Sequence, residues 1–182
     1  MKQKLCGMLQ CRNLMILKMD NIIKHFEDRM RVLVKEEHAC PNFHPKDDGA
    51  KGTFLHNIIG NYNGPVINNT NSDWPFLEFK GVFKNTWIHL AGYQDHTKNL
   101  YNETIKKIEH NLALIDYDII DERLLKILKV TLYSKLIRNN YAMNLSTNKR
   151  IKSSGKKETI HTIKKSIIPS VYEKKRVIYD IS

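Results

Sequence analysis

The stretch Asp73-Trp74-Pro75-Phe76-Leu77-Glu78-Phe79-Lys80-Gly81 constrains the fold more than any other part of the chain. From Leu77 to Lys80 apolar and charged residues alternate, which is the period of a strand with one buried face, and a strand is predicted over 76–82. Leu77 and Phe79 then point into a core, while Glu78 and Lys80 project together from the other face. Pro75 cannot donate a ladder hydrogen bond, so 73–75 reads as a turn that swings the Asp73 carboxylate back toward Glu78.

Length allows one domain with a proper core: the 182 residues are divided into a core domain over 1–148 and a basic C-terminal extension over 149–182, packed on the same domain. Residues 1–18 read as a dispensable leader, because Met19-Asp20-Asn21 would open a helix by itself. Asp20 is the expected N-cap of that helix, which runs to about Lys35 with Ile22, Ile23, Phe26, Met30, Leu33 and Val34 at helical spacing. The segment His38 to Gly52 reads as a loop from Pro41, Pro45, Asp47, Asp48 and Gly49. His38, Cys40 and His44 lie in it, but without paired cysteines they lack the pattern of a structural zinc site.

A short helix over Phe54 to Gly60 follows, stopped by its glycine. Beyond it, Pro65-Val66-Ile67 reads as a short strand. Thr86 to Leu90 reads as another, with Trp87 and Leu90 in the core. Two helices are predicted next, one over Thr97 to Ile115 and one capped by Asp121 that continues through Leu124, Ile127, Leu128, Leu132 and Leu136. They would cover the sheet. In the last segment, Lys149 to Lys157 reads as a flexible basic loop, while 159–163 and 176–181 read as strands.

The charge is uneven. The chain carries a formal +11, and residues 149–182 hold ten basic against three acidic side chains, so most of the surplus lies there. A cationic surface of this kind attracts polyanions, nucleic acid first and an anionic membrane surface second. The candidate phosphate contacts are Lys51, Lys149, Arg150, Lys152, Lys156, Lys157, Lys164 and Lys165, binding without sequence choice. The bland alternative is a solvated tail. Three cysteines make no disulfide framework, and neither a signal peptide nor a membrane-length apolar run is visible, so a cytoplasmic location without membrane partners is expected.

Residue types in the central stretch suit one chemistry. Mg²⁺ binds through one or two protein carboxylates plus a phosphate of its substrate, which Asp73 and Glu78 can provide, and Lys80 can orient a nucleophile and add positive charge. Hydrolysis of a phosphodiester is the matching reaction; the alternative is a half-exposed strand whose charges merely face water.

Lys51-Gly52, a short apolar helix, an Asn-rich connection, then Asp73-Trp74-Pro75 and Glu78-Phe79-Lys80 resemble the PD-(D/E)XK nucleases, in particular the mismatch-repair nicking enzyme MutH and the GATC-cutting restriction endonucleases. The likeness covers Lys51 to Gly81. It implies an α/β fold with a restriction-endonuclease-like core, a small mixed β-sheet flanked by α-helices. It also implies Mg²⁺-dependent cleavage of DNA, with Asp73 and Glu78 as metal ligands and Lys80 as the third catalytic residue, and a leading helix that can form a homodimer interface. Two departures stand out: the helix after Lys51-Gly52 has His56-Asn57-Ile58-Ile59 where the family carries a glutamate, and the gap from Asp73 to Glu78 is shorter. Asp47 or Asp48 could replace that acid. The alternatives from other classes are a basic nucleic-acid-binding protein that has lost catalysis, and an interaction or packaging protein.

Overall fold

The structure, a computed structural model, describes residues 2–39, 48–60, 62, 74–84, 87–93, 102, 105, 108–109, 111–120, 123–151, 155 and 157–181. Its centre is a long antiparallel hairpin. Strand β4, Asn111–Ile120, pairs with β5, Leu124–Leu136, from Asn111 opposite Ser134 to Ile120 opposite Leu124. Both segments therefore differ from the expected helices. The helical reading of Thr97 to Ile115 survives only in its earlier part, where Asn102, Ile105 and Ile108 have helical backbone. Residues 111–115 are buried on both faces, so the sequence there has no period of two to betray a strand. In β5 the β-branched and aromatic residues Ile127, Val130, Thr131 and Tyr133 suit a pleated surface, and this decides against the leucine stripe that suggested a helix.

Around the hairpin a mixed sheet assembles. Strand β2, Glu78–Val82, lies parallel to β4, with Lys80 opposite Leu114 and Val82 opposite Asp116. On the other side, β5 is long enough to take two partners: β1, Glu37–Ala39, along its first residues, and β8, Tyr172–Asp180, along the rest. The expected loop over His38 to Gly52 is thus shortened at both ends, by β1 and by a helix that starts at Asp48. Residues 40–47, with Cys40, His44 and Asp47, lie outside the described residues. His38 Nε2 meets the Leu33 carbonyl at 2.9 Å, at the end of the first helix.

One face of this sheet is covered by helices. Helix α1 spans Lys2–Leu33 without a break, so Asp20 is inside it and caps nothing. Ile22, Ile23, Phe26, Met30, Leu33 and Val34 are all buried, as their spacing predicts. Helix α2, Asp48–Ile59, begins one turn before Lys51-Gly52 and ends on Gly60, whose φ of +73° and 2.8 Å bond from its amide to the His56 carbonyl close it off. Arg29 of α1 donates to the last carbonyls of α2, Nη2 to Ile58 at 2.9 Å and Nε to Ile59 at 3.2 Å. These helices pack on Phe79, Ala113, Ile115, Tyr117, Ile127, Val130 and Leu132.

The opposite face carries a second core. Strand β3, Trp87–Tyr93, pairs antiparallel with β7, Lys157–Lys164, which pairs with β6, Ser146–Ile151. This three-stranded sheet and the 3-10 segment Lys165–Val171 place Ile88, Leu90, Ile163, Ile168 and Val171 against Val82, Leu112, Leu114 and Tyr133. A short helix α3, Arg138–Asn144, adds the fully buried Tyr141. The basic loop expected over Lys149 to Lys157 is therefore strand at both ends, in β6 up to Ile151 and in β7 from Lys157. Leu90 is core, but Trp87, expected beside it, is 44% exposed. Among the described residues no helix is long and apolar enough to cross a membrane.

Candidate functional site

Alternation in β2 does what the sequence requires of it. Leu77 and Phe79 are buried under the helices, and Glu78 and Lys80 emerge together on the far face, about one quarter exposed, with Lys80 Nζ 2.6 Å from Glu78 Oε1. The strand is held in place from both directions. Gly81 lets α2 approach: a Cβ there would stand 2.0 Å from Leu55 Cδ1 and 3.0 Å from Tyr117 Cε1.

A tight turn delivers the chain to this strand. Trp74, Pro75, Phe76 and Leu77 form it, with the Leu77 amide 3.4 Å from the Trp74 carbonyl and Phe76 at φ +58°. Proline second and a positive φ third is the type II pattern, where glycine is the comfortable third residue, so Phe76 holds a costly conformation. Its neighbours fix it there. The buried Asn111 donates to the Phe76 carbonyl at 3.0 Å, and the Trp74 indole donates to the Gly60 carbonyl at 2.9 Å. Trp74 also packs edge-on against Phe26 of α1 and against Tyr62, just beyond the end of α2. Asp73, the residue before the turn, lies outside the described residues.

The face that carries Glu78 and Lys80 continues across the sheet. Register puts Leu112 and Leu114 beside them, Asp116 beside Val82, and Tyr133, Thr131 and Lys129 of β5 beyond. Asp116 is a carboxylate that the sequence reading passed over, because it fell at the end of a supposed helix. It does not replace a missing ligand to Glu78. Two side-chain repeats separate their positions, roughly 13 Å along the strand direction, whereas two oxygens on one Mg²⁺ each sit about 2.1 Å from it. Asp116 pairs instead with Lys165. Among the described residues no group of three His, Cys, Asp or Glu could hold a metal ion.

Two phenols line the same layer. Burial, then Tyr141 and the Glu78 carboxylate, push the Tyr172 hydroxyl well above its usual range, and that hydroxyl donates to the Ile108 carbonyl at 3.1 Å. Burial and then Asp116 raise Tyr133, whose ring is 5.6 Å from that of Tyr172. Both stay protonated at any working pH. They can donate hydrogen bonds but not act as bases.

Comparison with protein-family models, with curated proteins and with solved structures finds no match.

The eight candidate phosphate contacts do not form one patch. Lys149 and Lys157 are exposed toward the tip of the β6–β7 hairpin, while Lys164 and Lys165 lie at the other end of β7. An eight-residue strand separates the two groups by about 24 Å. Lys51 and Arg150 are placed by backbone only, in α2 and β6, and Lys152 and Lys156 lie outside the described residues. Trp87, Lys129 and Lys175, which the sequence did not single out, join Lys164 and Lys165 around one groove.

Proposed function

We propose that the protein is a Mg²⁺-dependent DNA endonuclease of the PD-(D/E)XK kind, with Glu78, Lys80 and Asp73 as its working residues. The observation that supports this reading is the E-x-K pair itself. Its carboxylate and ammonium stand side by side, about one quarter exposed, on an edge strand of a mixed sheet, directly after a strained turn. Strain held by surrounding packing is characteristic of working sites.

The donor set fits a hard cation with few protein ligands. Glu78 supplies one carboxylate, Asp73 is the nearest further acid in sequence, and phosphate and water complete what Mg²⁺ ordinarily takes. When bound, the ion would supply positive charge against the charge that builds on the phosphate during displacement. Lys80 adds a second, fixed positive charge beside the same phosphate and can orient a water through its ammonium hydrogens.

A second reading has its own observation: the Glu78 carboxylate is engaged by Lys80 at 2.6 Å, as suits a nucleic-acid-binding protein without catalysis. Incubation of the purified protein with supercoiled plasmid separates the two. The nuclease reading expects nicked or linear product in Mg²⁺ and none in EDTA; a parent protein that binds the plasmid but cuts nothing in Mg²⁺ supports the binding reading.

A further inference from the structure

We propose that the groove beside the candidate active site binds a single-stranded segment of nucleic acid, stacking an unpaired base on Trp87 and seating its phosphates on Lys164 and Lys175. The groove measures about 940 Å³ and lies at the margin of the second core, between the face of the main sheet opposite the helices and the 3-10 segment. Its lining carries four lysines, Lys129, Lys164, Lys165 and Lys175, against one acid, Asp116. Lys165 is engaged by Asp116 and Lys129 by Asp180. Lys164 and Lys175 make no ion pair among the described residues, so a ligand that enters meets two cations ready for anionic oxygens.

Trp87 decides the class of ligand. Its indole is 44% exposed at the groove, with Lys164 Nζ 5.5 Å from the ring centroid. An aromatic face beside lysines is how proteins hold single strands: bases stack on the ring and cations track the backbone. In a duplex each base already has neighbours on both faces, so the ring can be used only by a base that is unpaired and unstacked. Size agrees. A space near the upper end of small-molecule pockets takes one or two nucleotides.

Position links the groove to the proposed chemistry. Leu114 and Asp116 line it, and they are the register partners of Lys80 and Val82 on β2. Leu114 at the groove is therefore one sheet position, about 4.8 Å, from Lys80. The inference deepens the nuclease reading by adding a site for an unpaired segment of its DNA, such as a supercoiled plasmid exposes, and it rests on that reading only for what is done to the strand.

The test is binding without chemistry. Fluorescence anisotropy of a labelled oligothymidylate, in EDTA, is compared with a hairpin duplex of equal nucleotide number and with thymidine triphosphate as competitor. Tighter binding of the single strand is expected, with Trp87→Ala weakening it roughly 5- to 150-fold, the worth of one stacked base. Trp87→Phe should recover most of the affinity. Lys164→Ala and Lys175→Ala should each lower the slope of log affinity against log salt by about 0.7. Unchanged affinity in Trp87→Ala would overturn the proposal. So would a duplex bound as tightly with the same loss, or a free triphosphate competing as well as the strand. Because no cleavage occurs in EDTA, failure here leaves the nuclease reading intact, and a protein that binds but never cuts fails only that reading.

Discussion

Glu78 and Lys80 stand 2.6 Å apart, so their charges offset each other until a phosphate or a cation separates them. A different residue contributes to the response to acid. His161 sits in the middle strand of the smaller sheet at 5% exposure, and burial holds its imidazole below the usual value. Above about pH 6.5, the model-peptide value, the ring is neutral in both the folded and unfolded chain. As pH falls through that value the unfolded chain takes up a proton that the folded one refuses, so this contribution to stability is lost downward and levels off below the folded pKa. Urea midpoints of the parent should fall between pH 7.5 and pH 5.5, and His161→Asn should show a shallower fall over the same window. An equal fall in both would show that another group sets the dependence.

At the scale of elements, Gly81 is where helix and sheet meet. Leu55 is fully buried and cannot swing into solvent, so a methyl at Gly81 has to push into packed side chains. Gly81→Ala should cost about 1–3 kcal/mol by urea denaturation, and Leu55→Ala alone about 2–5 kcal/mol through its cavity. The double variant should lose clearly less than the two combined, because the new methyl enters the space that the leucine left. Strict additivity would mean that α2 does not rest on Gly81. The β2 strand and its faces were legible in sequence, since a single period separates Leu77 and Phe79 from Glu78 and Lys80. The buried stripe of α1 was legible for the same reason. Strands β4 and β5 were not: Leu112 to Ile115 are covered on both sides, and Leu124, Leu128 and Leu132 fit a helical stripe as well as a strand. Trp87 was misjudged because hydrophobic size argues for burial and says nothing about a groove edge.

Taken whole, the molecule is a mixed sheet with helices on one side and a smaller antiparallel sheet on the other, and the candidate site opens between the two sheets. The C-terminal basic segment belongs to both. It supplies β7, the middle strand of the smaller sheet, and β8, which flanks β5, while Arg176 reaches Glu27 of α1. Cutting the chain after Asn148 would remove these strands along with their charges, so the charges are best tested one at a time. Residue types pointed to Glu78 and Lys80; the groove was not foreseeable, because it unites Trp87, Lys129 and Lys175 from three distant strands. The most direct measurement is Mg²⁺-dependent nicking of supercoiled plasmid by the parent, by Glu78→Ala and by Lys80→Ala, with circular dichroism holding the fold constant. The account predicts nicked product from the parent alone, and metal-dependent nicking that persists in Glu78→Ala would contradict it.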